Sequence, residues 1–469
     1  MNSYRRILSL TVAVVTAAAT TVSLFADDSG VAPAAAPAGS IDQRLEQLEQ
    51  EIRLLKRQRE LDQEANAAAA EQAKKAPVMI AGKDGFGLKS ADGSFQLKLK
   101  GVAQVDSRWF LDDDAKNGTD QFLIRRARPI LEGTLYKDFD FRLMPDFGGG
   151  TVVLYDAYGE WKHWAWLKLR VGKFKSPVGL EQLQEDVNIL FTERSLVTDL
   201  VPNRDVGVQL SGDLFDGIVT YAGGIFNGIP DGSNGDLDNN DSKDFEGRLF
   251  VEPFKKADIE PLRGLGVGAA ATTGNEGGSF ATPNLPSFKT AGQNTFFKYT
   301  TGASLATTSI ANGNHLRVSP QGYYYWGPVG LLGEYAWSEQ EVQNGAAKDY
   351  LRNNAWEVLG SVMLTGERAS FKGVAPRKPF DLTKGTWGAW QLVGRYSVLR
   401  VDPDAFPRFA SINSSAQEAR DWGIGLNWYL NQNVKLMLDY DQTHFDGGAA
   451  GGKDRESEQV IFTRAQLAF

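Results

Sequence analysis

The chain has 469 residues, a formal net charge of −8 and no Cys, and it carries 50 Gly, 26 Phe, 14 Tyr and 11 Trp. This length allows two or three ordinary domains or one large one, and the many turn-forming and aromatic residues favour one large β-rich unit. The absence of Cys excludes disulfides, thiol chemistry and Cys-built zinc sites, while the acidic charge argues against a nucleic-acid partner. Three His stand far apart, at His163, His315 and His444, so we expect neither a His-built metal site nor a cofactor.

The first 26 residues have the layout of a secretory signal peptide. Two Arg precede the apolar run Ile7 to Val15, and Ala26 is a small residue at the expected cleavage position. The apolar run is too short to cross a membrane as a helix. Residues 27–39 are rich in Ala and Pro and are predicted to be a linker. The chain is therefore expected to be exported to a bacterial envelope.

Residues 40–72 are predicted to form a helix with a short coiled-coil seam. Ser40 is placed to act as the N-cap. Apolar residues then recur at spacings of 4, 3, 4 and 3, at Ile41, Leu45, Leu48, Ile52 and Leu55. Because this seam covers only about two heptads, it is marginal for self-association without a larger oligomer. A single amphipathic helix on another surface is the alternative, and a contact with the cell wall is possible for either. Residues 73–94 are predicted to be a second linker.

From residue 95 onward, apolar and polar residues alternate with the period of a β-strand. Stretches rich in Asp, Asn and Gly alternate with tight connections, and Phe469 ends the last alternating segment, as is usual for bacterial outer-membrane barrels. A soluble β-sandwich would bury its apolar faces on each other and would not need so many strands. We therefore predict an all-β fold, a 16-stranded antiparallel transmembrane β-barrel over residues 95–469, preceded by the short N-terminal helical coiled-coil segment. The strands are expected near residues 95, 122, 138, 152, 165, 205, 218, 245, 265, 315, 329, 350, 387, 419, 434 and 458.

Strand parity predicts which charged side chains face the lumen. Arg126 and Arg128 lie opposite the face that carries Leu123 and Ala127, and turning them toward lipid would cost about 2–4 kcal/mol each near the midplane. The same rule turns these cations inward: Lys98, Lys100, Arg108, Arg142, Lys168, Arg170, Arg248, Arg317, Arg395, Lys435 and Arg464. The rule also turns twelve carboxylates inward, so the predicted lumen charge is nearly balanced. These carboxylates are Asp106, Glu132, Asp140, Asp156, Glu160, Glu246, Glu252, Glu334, Glu357, Asp421, Asp439 and Asp441.

The segment from Pro177 to Arg204 is predicted to fold inward and narrow the pore. Lys173 and Lys175 precede it as the nearest cations, but the segment itself carries more acidic than basic residues. By contrast, the Asp-rich segment Asp231 to Asp244 is expected to be a solvated external loop that holds much of the excess negative charge.

Eight segments carry a family resemblance. They occur in the order LIRRARPILEG (123–133), DAYGEW (156–161), VGKFKSPVGLEQ (171–182), FTERS (191–195), PNRDVGVQLSG (202–212), GGIFNG (223–228), LTGERASFKGVAP (364–376) and GAWQLVGRYS (388–397). In this the chain resembles the phosphate-selective porin O and P family. The resemblance implies a trimeric, sixteen-stranded outer-membrane porin with inward-folded loops and a pore lined by Arg and Lys.

The predicted function is passive diffusion of small anions, with phosphate-like oxyanions as the preferred solutes. Expected partners are outer-membrane lipid, small anions such as phosphate, and two further copies of the chain in a homotrimer. An enzyme is not expected, because no Ser lies in a nucleophile motif. One alternative is a general or sugar-type porin, which the balanced lumen charge and Trp326, Trp337 and Trp390 would suit. The other is a structural protein whose coiled coil tethers the outer membrane to the cell wall.

Overall fold

A computed structural model describes residues 40–114, 118–238 and 240–469. The signal peptide and first linker, predicted for residues 1–26 and 27–39, lie outside the described residues. The chain divides into two units, residues 1–72 and 73–469.

The N-terminal unit contains most of helix α1, Ile41–Lys75. Its first turn is closed by a capping box, because the Gln43 N–H donates to Ser40 Oγ at 3.4 Å and the Ser40 N–H donates to Gln43 Oε1 at 3.3 Å. This confirms Ser40 as the N-cap. All five seam residues are exposed, from 50% at Ile52 to 79% at Ile41. Among the described residues, no helix is both long and apolar enough to span a membrane.

In the second unit, sixteen antiparallel strands of the described chain close into a barrel, which confirms the predicted fold. The strands are β3 Gln96–Leu111, β4 Gln121–Leu135, β5 Phe139–Asp146, β6 Val153–Trp164, β7 Leu167–Lys175, β8 Arg204–Leu214, β9 Val219–Phe226, β10 Asp244–Val251, β11 Leu265–Gly277, β14 Ser309–Trp326, β15 Val329–Asn344, β16 Ala347–Met363, β17 Ala389–Arg400, β18 Ala416–Tyr429, β19 Val434–Gly447 and β20 Glu458–Ala468. Strand β20 pairs with β3 and closes the ring.

The segment predicted to be a second linker instead contains a hairpin, β1 Val78–Gly82 and β2 Gly85–Lys89. The partner strand β20 ends before the first residues of β3, so the start of β3 presents an open edge. Strand β2 pairs with that edge from Phe86 to Lys89, and open edges are commonly covered in this way. The Phe86 ring also packs against Phe469, with ring centroids 5.8 Å apart.

A β-bulge in β4 changes the parity of its first half. Arg126 pairs with Gln104, but the next pair along is Ile124 with Val105, so Arg125 is the extra residue. The prediction that Leu123 shares the lipid-facing side with Ala127 is therefore wrong. Ile124 is exposed on the outer wall instead, and the Arg125 side chain reaches the lumen, where it binds a carboxylate.

Residues 176–203, between β7 and β8, fold into the barrel and are called the inner loop below. They contain the short helix α2, Leu180–Leu183, and the 3-10 helix Leu196–Leu200. A hairpin from the connection after β11, with β12 Ser287–Lys289 and β13 Thr295–Lys298, joins the inner loop inside the barrel. Together they form an apolar cluster with the β15–β19 wall that includes Val197, Leu200, Phe288, Phe297, Leu399 and Phe445. This cluster fills one side of the lumen.

Candidate permeation site

Asp186 of the inner loop is surrounded by arginines. Its carboxylate contacts Arg128, lies 2.7 Å from Arg194, and is 3.6 Å from Arg126 and 4.0 Å from Arg204. Burial alone would raise the pKa of Asp186, but these guanidinium groups hold it well below its usual value. Asp186 is therefore a permanent anion that fixes the inner loop to the β3–β8 wall.

Glu193 is the second anionic anchor of the inner loop. It accepts two hydrogen bonds from Arg125, at 2.5 and 3.0 Å, and one from Arg108 at 2.9 Å. Burial raises the pKa of Glu193, yet the charges of Arg125 and Arg108 lower it far more, so this carboxylate is also ionised. The two anchors hold the loop in register with the basic wall.

A cavity of about 450 Å³ lies against these anchors. Among the described residues, its lining contains six cations and four carboxyl groups, with the cations at Arg125, Arg126, Arg128, Arg194, Arg204 and Lys289. Burial raises the pKa of one of the carboxyls, Asp199, to about 8, against the opposing hydrogen bond from the Lys289 N–H at 2.9 Å. At neutral pH this cavity therefore carries a net positive charge.

Two further cavities lie along the β3–β10 wall and share basic lining residues with the first. The second, of about 240 Å³, shares Arg204 with the first, and the third, of about 280 Å³, shares Arg142 and Tyr158 with the second. Within the described chain, the second cavity is lined by five cations against two carboxyls, and the third by three against two. The added cations are Arg170, Lys175 and Arg248 in the second cavity and Lys98 and Lys162 in the third.

The predicted pore cations thus divide into two groups. Seven of them line the three cavities, namely Arg126, Arg128, Lys98, Arg142, Arg170, Lys175 and Arg248. The other eight predicted cations do not line these cavities, and each of them has a partner within the described chain. Seven form ion pairs, which are Lys100 with Glu132, Arg108 with Glu193, Lys168 with Asp213, Lys173 with Asp236, Arg317 with Asp231, Arg395 with Asp441 and Arg464 with Asp106. The eighth, Lys435, donates to the Ile189 carbonyl.

The inward carboxylates of the β15–β19 wall are covered by the inner loop. Asp439 accepts from the Thr192 N–H at 2.7 Å, and Glu334 accepts from the Glu181 N–H at 3.0 Å. These side chains are buried and do not line the three cavities. The nearly balanced charge predicted from parity is therefore separated in space, because the cations border the open volume and many of the acids border the loop.

Part of the acidic external loop is also buried, contrary to expectation. Asp231 and Asp244 are 3% and 1% exposed, and both bind Arg317, at 2.5 and 3.2 Å. An inward-facing Arg on β14 supplies the partner that makes their burial possible.

Five cations of the three cavities are absent from the set predicted from strand parity, namely Arg125, Lys162, Arg194, Arg204 and Lys289. Arg125 reaches the lumen through the bulge, while Arg194 and Lys289 come from segments inside the barrel rather than from the barrel strands. Arg204, the first residue of β8, belongs to the segment predicted to fold inward, and Lys162 of β6 has the same parity as Glu160, which is predicted to face the lumen. Tyr155 makes cation–π contacts with two of the arginines, since its ring centroid lies 4.2 Å from the Arg128 guanidinium and 4.5 Å from that of Arg204.

A family model described as phosphate-selective porin O and P matches residues 97–469. The chain belongs to this family. Porin O of Pseudomonas aeruginosa is 24% identical over 416 residues, which cover 84% of this chain and 93% of that protein. Two solved structures share the fold at 12% identity. They are the outer membrane channel DcaP of Acinetobacter baumannii, with a TM-score of 0.53 over 82% of this chain and 99% of its own, and a loop L8 deletion mutant of OmpT from Vibrio cholerae, with a TM-score of 0.50 over 80% and 100%.

The protein is thus a porin of the bacterial outer membrane, and its family and fold indicate a channel rather than an enzyme. In such barrels the short turns face the periplasm and the longer loops face outward. Within the part of the chain that the structure describes, no group of three or more His, Cys, Asp or Glu is arranged to hold a metal ion.

Proposed function

We propose that this porin passes small anions, with phosphate-like oxyanions preferred, along the basic surface of the three cavities. The observation that carries the proposal is that the three cavities share basic lining residues, Arg204 between the first and the second and Arg142 between the second and the third. Neighbouring guanidinium groups offer forked donors that match oxyanion geometry, so an anion can exchange part of its hydration for successive contacts.

Arg126 is the best placed residue for a solute contact in the first cavity. It donates to Gln104 at 2.7 Å and stays 3.6 Å from Asp186, and its buried Nε has no hydrogen-bond partner in the described chain. Arg128, by contrast, binds both Asp146 and Asp186. Arg126 is therefore less engaged with carboxylates of the protein than Arg128, whose contacts are largely structural.

The test is block of single-channel chloride current by added inorganic phosphate. Arg126→Gln removes the charge while keeping a hydrogen-bonding side chain, and we expect it to weaken phosphate block by about tenfold, the effect of losing one charged hydrogen bond. Lys168→Gln is the matched control, because it removes one inward cation that lies outside the three cavities. Equal block in wild type and both variants would contradict an oxyanion site at Arg126.

We also propose a homotrimer in which contacts between barrels supply most of the association and α1 adds a short coiled coil. The exposed seam of α1 supports this, because among the described residues its apolar side chains are 50–79% exposed. The family resemblance is the second support.

A general or sugar-type porin remains the second candidate. Its support is the partial neutralisation of the basic wall, since Asp186 and Glu193 both lie in the lining of the first cavity.

A further inference from the structure

The connection between β16 and β17, residues 364–388, departs from the short turns of the periplasmic end. Its first part enters the barrel beneath the inner loop, where the Phe371 carbonyl accepts from Gln184 Nε2 at 2.8 Å and the Phe371 ring stacks on Tyr323 at 5.4 Å. Its second part, residues 378–388, turns the other way and is called the outer arm below.

The outer arm folds against the outside of the barrel. Asp381 and Thr386 form a two-way backbone bridge with both N–H to O distances at 3.0 Å, and the Phe380 N–H donates to the Leu430 carbonyl at 2.6 Å. Trp428 Nε1 donates to the Trp387 carbonyl at 2.6 Å. The arm is therefore held in one conformation by hydrogen bonds to itself and to the end of β18.

An aromatic cluster joins the outer arm to the lipid-facing wall. The Phe380 ring lies 5.4 Å from Trp428, which stacks on Trp390 at 4.8 Å. Trp390 and Trp428 share the outward parity of β17 and β18 with the exposed residues Leu392 and Ile424. The arm thus sits where the lipid-facing surface meets the periplasmic turns.

Beyond this cluster the arm presents two kinds of exposed side chain. Leu382 is 71% exposed and Trp387 is 58% exposed. Lys378 and Lys384 flank them; Lys384 is paired with Asp381 at 2.9 Å, whereas Lys378 has no carboxylate within 4.0 Å among the described residues. Exposed apolar and aromatic groups beside lysines are the combination that membrane interfaces select.

We propose that the outer arm is a binding surface for anionic phospholipid of the periplasmic leaflet. Leu382 and Trp387 enter the acyl boundary, while Lys378 and Lys384 contact the headgroup phosphate. Lipid is the occupant because the aromatic cluster is continuous with the lipid-facing wall, so an occupant of the arm must also lie against that wall. The surface is independent of the solute path and does not rest on anion permeation.

The first test is retention of phosphatidylglycerol by the full-length detergent-extracted porin in native mass spectrometry. One lysine near an anionic membrane surface strengthens membrane binding about fivefold, and two lysines therefore strengthen it about 25-fold. We accordingly expect the double variant Lys378→Gln, Lys384→Gln to retain phosphatidylglycerol about 25-fold less well than wild type. The control is Lys137→Gln, Lys256→Gln, which removes the same charge from exposed turns at the same end of the barrel. Equal retention in the two double variants would overturn the proposal, as would displacement of the lipid by excess inorganic phosphate.

A second test places the arm relative to the bilayer. Because the chain has no Cys, Leu382→Cys gives a single site for a bimane label. In phosphatidylcholine vesicles with 30% phosphatidylglycerol and brominated acyl chains, this label should be quenched at least about twofold more than one at Lys137→Cys, since apolar interfacial groups lie at the acyl boundary. Equal quenching at the two sites would show that the arm points into water and would overturn the proposal.

Discussion

Asp199 is a cavity residue whose charge depends on pH near neutrality. Its pKa is raised to about 8 by burial, and its carboxyl accepts the Lys289 N–H. Below that pH the group is mostly neutral, so the six cations of the first cavity face three ionised carboxyls. Above it a fourth negative charge appears beside them. The local field that selects solutes therefore becomes less positive as the pH rises through about 8.

We accordingly expect the proposed preference for anions to fall between pH 6.5 and pH 9.5 in the wild-type channel. Asp199→Asn cannot ionise at this position, so the variant should keep more of its anion preference at pH 9.5 than wild type does. Reversal potentials measured at both pH values provide the comparison. A variant that loses as much selectivity as wild type would show that other groups carry the pH dependence.

At the scale of elements, the inner loop is held by two buried anions against one wall and by an apolar cluster against the other. Asp186 is shared among arginines from β4, β8 and the loop itself. Breaking such a buried arrangement by removing one partner leaves the remaining charges without compensation and typically costs about 3–5 kcal/mol.

Asp186→Asn should therefore lower the free energy of unfolding by about 3 kcal/mol or more, as measured by urea denaturation in lipid vesicles. Asp213→Asn is the control. It removes a carboxylate that is 41% exposed and paired with Lys168, so its cost should stay within about 1 kcal/mol. If the two variants are equally stable, Asp186 does not hold the loop.

The number and position of the strands follow from local alternation, which is why all sixteen could be predicted from sequence. One inserted residue is enough to defeat parity, as Leu123 and Arg125 show, because a bulge has no clear signature in a strand where two arginines, Arg125 and Arg126, stand side by side. The cavities could not be predicted from sequence, because their position and lining depend on how the inner loop packs across the lumen. That packing joins residues far apart in the chain, such as Asp186 with Arg128 and Thr192 with Asp439, and no local pattern encodes it.

For the whole molecule, ion permeation is expected to depend more on where the charged groups lie than on the total charge of the chain. The formal net charge of −8 describes the entire chain, whereas permeation responds to the groups that border the open volume. In this porin those groups are mainly basic, and several carboxylates of the opposite wall lie beneath the inner loop.

The proposed trimer is tested at the same scale. Light scattering of the detergent-extracted protein should give the mass of three chains, and removal of residues 40–72 should leave a trimer, because the short seam adds little beside contacts between barrels. A monomer in the intact protein would contradict the oligomer. A trimer lost only on truncation would instead assign association to α1.

The most direct test of the account is the reversal potential of the wild-type channel in a KCl gradient at neutral pH. A potential of the sign that reports chloride as the more permeant ion is the predicted result, since the three cavities, which share lining residues, together present more cations than carboxylates. A potential that reports potassium as the more permeant ion would contradict the basic path and favour the general-porin alternative.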